Sequence, residues 1–209
     1  YAFSGLFFYI FSLSVGSTDI SSVFLMMFMV LMVFVPLLTM RLLSEDKKQK
    51  TDQLILTAPV SLLSIVMGKF LEAYAIFAIG VAVMPVYGFV MSTFATVSWL
   101  PIWGNTVGLL LLGGIFVSIG LFISSLTENQ MIAAIGGFFI NLMILLMNTL
   151  KSALPNGFLQ DVLSSISVYS RYSEITSGIF SLSSLIFFVS VIFIFLFLTV
   201  RVLEKRRWA

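Results

Sequence analysis

The sequence has no cysteine and no histidine. The first absence excludes disulfides and thiolate zinc sites; the second excludes imidazole acid–base catalysis and imidazole metal ligands. Charge is nearly as scarce: 11 Lys and Arg with 9 Asp and Glu make up 10% of 209 residues, where soluble domains carry about 25%. The net charge of +2 is too small to argue for a nucleic-acid partner. What remains is apolar, 60% of the chain, with a mean hydropathy of +1.13. These proportions leave one class, an integral membrane protein.

A spanning helix needs about 20 apolar residues to cross roughly 30 Å of hydrocarbon. Charge-free runs of that length predict spans over 20–40, 73–94, 106–126, 129–150 and 181–200. Residues 73–127 carry no charge, and "ATVSWLPIWGNT" divides them. Pro101, Gly104 and Asn105 are expected to stop helices there, with Trp99 and Trp103 at headgroup level. Residues 1–11 are apolar but supply only about 16 Å of helix at 1.5 Å per residue. We take them as part of a further span, which makes six, with a short surface helix as the alternative. The expected fold is all-α and polytopic, a single transmembrane domain in contact with the lipid bilayer.

Orientation follows from the basic residues. Arg41, Lys47, Lys48, Lys50, Lys69, Arg201, Lys205, Arg206 and Arg207 fall on one side, and only Lys151 and Arg171 on the other. The positive-inside rule then makes 41–70, the "LTENQ" turn at 126–130 and both ends of the chain cytoplasmic.

Within the spans there is no carboxylate pair and no lysine, which argues against a proton-coupled pump or a voltage sensor. Glu72 lies three residues after Lys69, so an interfacial ion pair on one helix face is the expectation. Gly114 and Ser118, Gly120 and Ser124, and Ala133 and Gly137 recur at four-residue spacing, which lets helices approach closely in lipid. Pro36 and Pro85 fall inside spans and predict kinks. On the outer side, Leu159, Val162, Leu163 and Ile166 follow a 3.6-residue period after a capping Asn156. That describes a short amphipathic helix, either a passive surface element or an external gate.

The stretch 41–70 is the chain's polar island. Ser44–Gln53 is charged and helix-compatible; Leu54, Ile55 and Leu56 then precede a turn set by Pro59, and Ser61 can cap the next helix. A merely solvated loop has no need of three adjacent aliphatic side chains, so a docking surface is the better reading.

The run "EDKKQKTDQLILTAPVSLLSIVMGKF" resembles the cytoplasmic loop of ABC-2 type permeases, the membrane subunits of ATP-binding-cassette transporters. Glu45, Asp46, Lys47, Lys48, Thr51, Gln53, Leu54, Leu56, Pro59, Gly68 and Lys69 match the pattern of that loop, while Lys50 stands where the family has glycine. "GLFISSLTENQMIAA" resembles the turn between the fourth and fifth spans, especially in the gliding-motility-associated subgroup.

The resemblance implies a permease subunit, an exporter of a bacterial cytoplasmic membrane, whose 41–70 loop is a coupling helix seated in a groove of an ATPase. Leu54, Ile55 and Leu56 would form its apolar contact, and Glu45, Asp46, Lys47, Lys48 and Asp52 its polar rim. Glu128 would be a second cytoplasmic contact. It also implies two ATPase subunits per complex and a second permease, identical or homologous. The sequence has no G-x-x-x-x-G-K-[ST] phosphate loop. ATP and Mg therefore belong to the ATPase partner, and this chain is expected to bind no cofactor and no metal. Two rival classes stay open at this point. A secondary transporter or channel would need polar groups in mid-membrane, where the spans offer Asn141, Asn148 and scattered hydroxyls. A non-transporting assembly subunit is the other.

Overall fold

A computed structural model describes residues 2–10, 21–51, 60–93, 99–153, 167–179 and 181–207. Its helices are α1 (Ala2–Phe8), α2 (Ser21–Thr39), α3 (Ser44–Lys48), α4 (Leu62–Val81), α5 (Met84–Ser92), α6 (Trp99–Leu126), α7 (Gln130–Ala153), α8 (Val168–Thr176) and α9 (Leu182–Arg207). No strand occurs among the described residues. Five stretches, Ser21–Lys48, Leu62–Ser92, Trp99–Leu126, Gln130–Thr149 and Leu182–Arg207, are long and apolar enough to cross a membrane. The fold is that of an all-α polytopic membrane protein.

α6 is the axis of the bundle. It packs against α2, α4, α5, α7, α8 and α9, and 72% of its most apolar stretch is buried, against 17% for α9. Lipid tails are as apolar as leucine, so close packing, rather than escape from water, has to draw these helices together. Small residues on α6 make that possible. Gly113 admits the ring of Phe77 from α4, Gly114 the end of Ile192 from α9, Gly120 the side chain of Thr39 from α2, and Gly108 that of Ile175 from α8. The four-residue spacings seen in the sequence thus serve packing within one chain. Several hydroxyls buried in the spans bond back to their own helix, as Thr106 does to the Ile102 carbonyl (2.7 Å), Ser118 to Ile115 (2.8 Å) and Thr199 to Phe195 (2.8 Å).

Three boundaries differ from expectation. Pro101, Gly104 and Asn105 do not stop a helix; α6 begins at Trp99 and runs through them. Pro101 falls in the first turn, where its missing N–H would have had no partner in any case. The third span begins at Leu62 rather than near Ala73, capped by Ser61, whose Oγ accepts from the Ser64 N–H at 3.1 Å. It breaks between α4 and α5 because Pro85 cannot donate to the Val81 carbonyl and its ring crowds that turn. The last helix continues past the apolar run to Arg207, carrying Arg201, Lys205 and Arg206 with it.

Candidate functional site: the basic end of the bundle

The ends of α2, α6 and α9, the start of α4 and the whole of α3 meet at one end of the molecule. Ser124, in the last turn of α6, organises this end. Its Oγ accepts from the Leu43 N–H (3.1 Å) and the Ser44 N–H (3.0 Å) and donates to the Met40 carbonyl (3.1 Å). One hydroxyl therefore satisfies the turn that carries α2 into α3, at a place where these backbone groups have no helical partner. The Lys47 side chain, 4% exposed, turns inward and donates to the Ser125 carbonyl at the end of α6. A cation there meets the negative end of the helix dipole. A third tie runs to α4, where Asp46 Oδ2 lies 3.0 Å from Lys69 Nζ. Replacing Ser124 by alanine leaves two buried donors to find other partners, while the Met40 carbonyl still accepts from the Ser44 hydroxyl, and a loss of about 1–3 kcal/mol is expected. Chemical unfolding in detergent measures it; an unchanged midpoint would show that the clamp is not needed.

α3 is closed by a backbone motif in which the Thr51 N–H bonds the Asp46 carbonyl (3.0 Å) and the Lys50 N–H bonds the Lys47 carbonyl (3.1 Å). The residue at the crossing must be left-handed, which is why glycine is usual there. Here it is Lys50, with φ +57°, at a backbone cost of about 1–2 kcal/mol. The same closure occurs at the end of α8, with Gly178 at φ +87°. The departure from the family pattern at Lys50 therefore keeps the tight turn and changes only the residue that makes it.

A cleft of about 390 Å³ opens between α3 and α4, lined by Arg41, Glu45, Asp46, Lys69 and Glu72 over Leu38 and Ile76. Lys69 pairs across this cleft with Asp46, not along its own helix with Glu72 as the i,i+3 spacing suggested. At the far side of the same end, Arg206 of α9 approaches Glu128 at 3.8 Å. Glu128 is two-thirds exposed, so this pair contributes little to stability.

Of the coupling residues named from sequence, Glu45, Asp46, Lys47, Lys48 and Thr51 come together on and after α3. Lys47 differs from its expected place on a polar rim: a buried helix end drew its amine inside. Asp52, Leu54, Ile55, Leu56 and Pro59 lie outside the described residues. Sequence reasoning missed Ser124 and Ser125 as partners of this segment. The signal for Ser124 was its place in the Gly120–Ser124 pair; nothing local announced that α3 would be the neighbour.

At the opposite end, α8 packs into the bundle against α6, α7 and α2. Ser167 caps it by accepting from the Ser170 N–H (3.2 Å). Val168, Tyr172, Ile175 and Thr176 form its buried face. The Tyr172 hydroxyl donates to the Phe24 carbonyl at 2.7 Å, and burial pushes its ionisation far above the usual phenol range, helped by Tyr169, so it stays a neutral donor. Phe28 meets the rings of Phe116 and Tyr169 edge-on at 5.4 and 5.2 Å. Arg171 donates to Ser183 Oγ (3.2 Å) and lies 4.6 Å over the Phe187 ring. The gate candidates Leu159, Val162, Leu163 and Ile166 lie outside the described residues. The external helix expected from sequence lay at 159–166, and α8 was not singled out, although 168, 172, 175 and 176 also keep a helical period.

Comparison with known proteins gives one family. Its model, described as ABC-2 family transporter protein, matches residues 3–208. No curated protein matches the chain.

Proposed function

This chain belongs to the ABC-2 family of transporter proteins, and from that premise we propose that it is a permease subunit driven by a separate ATPase seated on its basic end. Membership supports the role of a membrane subunit without catalytic machinery of its own. The ATPase partner, export as the direction, a second permease subunit and a bacterial cytoplasmic membrane are the further parts of the reading. Kinship with the gliding-motility-associated members rests on "GLFISSLTENQMIAA" alone.

The observation that carries the proposal is the clamp around α3. ATP and Mg, held by two ATPase subunits, supply the driving force. Closure of those subunits would displace the segment 41–70. Ser124 and Lys47 join α3 and the turn before it to α6, and the Asp46–Lys69 pair joins α3 to α4. α6 touches most of the other helices, so a push on α3 has a packed route into the bundle rather than being absorbed in a loop. The end of α9 then lies in the cytoplasm with the basic end, and Glu128 offers a second, exposed contact beside Arg206. α8, at the other end, would then respond on the outer face.

Purification of the tagged chain from its native membrane checks this. The expected result is a companion polypeptide with a phosphate loop, in equal copy number, hydrolysing ATP with sensitivity to vanadate. A chain that is pure, stable and active alone in liposomes would favour the secondary-transporter reading instead.

A further inference from the structure

Pro36 sits inside α2, three residues before its last residue, and does not end the helix. Proline has no N–H, so the carbonyl one turn earlier, that of Met32, loses its helical donor. In lipid no water replaces that bond, and the orphaned carbonyl needs a donor from elsewhere. The rest of the ladder is intact below this point, since the Met40 N–H returns to the Pro36 carbonyl at 2.9 Å. One acceptor is left over.

The donor comes from α7. Asn141 is fully buried, and its Nδ2–H points at the Met32 carbonyl at 3.4 Å. One turn earlier on the same face, Gly137 lies against the proline ring, where a Cβ would stand 3.2 Å from Pro36 Cβ. The two residues act together: Gly137 gives the ring room, and Asn141 supplies the missing bond. Among the described residues no other contact accounts for an amide here. Asn141 Oδ1 is buried with no hydrogen-bond partner among the described residues, so the amide is not held by a polar network of its own. An aliphatic side chain would fill the site without leaving that oxygen unpaired.

We infer that Pro36, Gly137 and Asn141 form a joint that fixes α7 on α2, with the Asn141 amide acting as the backbone donor that Pro36 lacks. The joint has a consequence beyond the pair. Seven residues along the same face of α7, Asn148 Oδ1 accepts from Ser170 of α8 at 3.0 Å. Tyr172 of α8 in turn bonds the Phe24 carbonyl of α2. α2, α7 and α8 are thus closed into a hydrogen-bonded triangle, and α2 is the helix that leads into α3. Only this last consequence rests on the ATPase reading; the joint itself does not.

A double-mutant cycle separates the amide's role from simple packing. Asn141→Leu is made in the natural sequence and in Pro36→Ala, where the alanine restores a backbone N–H for the Met32 carbonyl. In the natural background the melting midpoint in detergent is expected to fall by about 2–5 °C, the range for one interhelical bond in a chain of this size. In the Pro36→Ala background the fall should shrink to half or less. Equal losses in both backgrounds, or no loss in the natural one, would overturn the joint. If Asn141→Leu does not accumulate, Asn141→Ala carries the same cycle with the same two readings. ATPase co-purification is a separate readout: its absence from the unsubstituted chain would strike the proposed function and leave the joint standing.

Discussion

Replacing Gly120 by leucine is expected to destabilise the bundle by about 3 kcal/mol or more, the upper range for overpacking a filled interior. A Cβ on Gly120 would collide with Thr39 Oγ1 and stand 2.8 Å from Thr39 Cβ. Thr39 cannot swing aside. It is fully buried, and its hydroxyl is shared between the Val35 (3.0 Å) and Pro36 (3.4 Å) carbonyls. α2 would have to leave α6, and the turn clamped by Ser124 one helical turn away would go with it. Glycine is also a poor helix former, by about 1 kcal/mol relative to alanine, so even Gly120→Ala sets a gain against a larger clash. Gly80 on α4 provides the control. A Cβ there meets nothing within 4 Å, so Gly80→Ala should be neutral or stabilising by up to about 1 kcal/mol. Unfolding in detergent reads both. A Gly120→Leu protein as stable as the parent would mean that α2 and α6 are not packed as described.

The second large effect is functional. The Leu54→Asp, Leu56→Asp double variant is expected to lose at least about 100-fold in affinity for the ATPase subunit, since two leucines buried in the proposed contact would contribute roughly 1.5 kcal/mol or more each. Carboxylates placed in an apolar contact add a desolvation cost to that loss. ATP-driven transport should fall in step, while the melting midpoint of the isolated chain stays at the parental value. Retention of both ATPase binding and transport would remove 41–70 from the coupling role. A fall in the midpoint instead would assign these leucines to the chain's own packing.

Much of this architecture could be read from the chain because membrane helices must satisfy their own backbone and exclude charge. That requirement delimited Ser21–Thr39, Gln130–Ala153 and Leu182–Arg207 to within a few residues of their apolar runs, apart from the basic extension of the last. It failed at 99–106, where proline and glycine look alike whether they end a helix or open one; Pro101 lies in the first turn of α6. At 62–70 the helix capped by Ser61 was expected, but not that it runs without a break into the third span. Site residues divided along the same line. Segment 41–51 was recognisable from its own composition. Its partners were not, because Ser124, Ser125 and Lys69 gain their roles only when helices distant in sequence are brought together. Asn141 is the clearest case. Its neighbours in sequence are apolar, and only Pro36, far away in the chain, explains it.

The absence of cysteine supplies a clean background for the most direct test of the coupling role. A single cysteine at Lys48, exposed at the end of α3, can be cross-linked in native membranes with a short thiol-to-amine reagent. The expected product joins this chain to a phosphate-loop ATPase, and it is protected or rearranged when ATP and vanadate are bound. A Lys48→Cys protein that is folded, reaches the membrane and is labelled only from the outer face would contradict the coupling role.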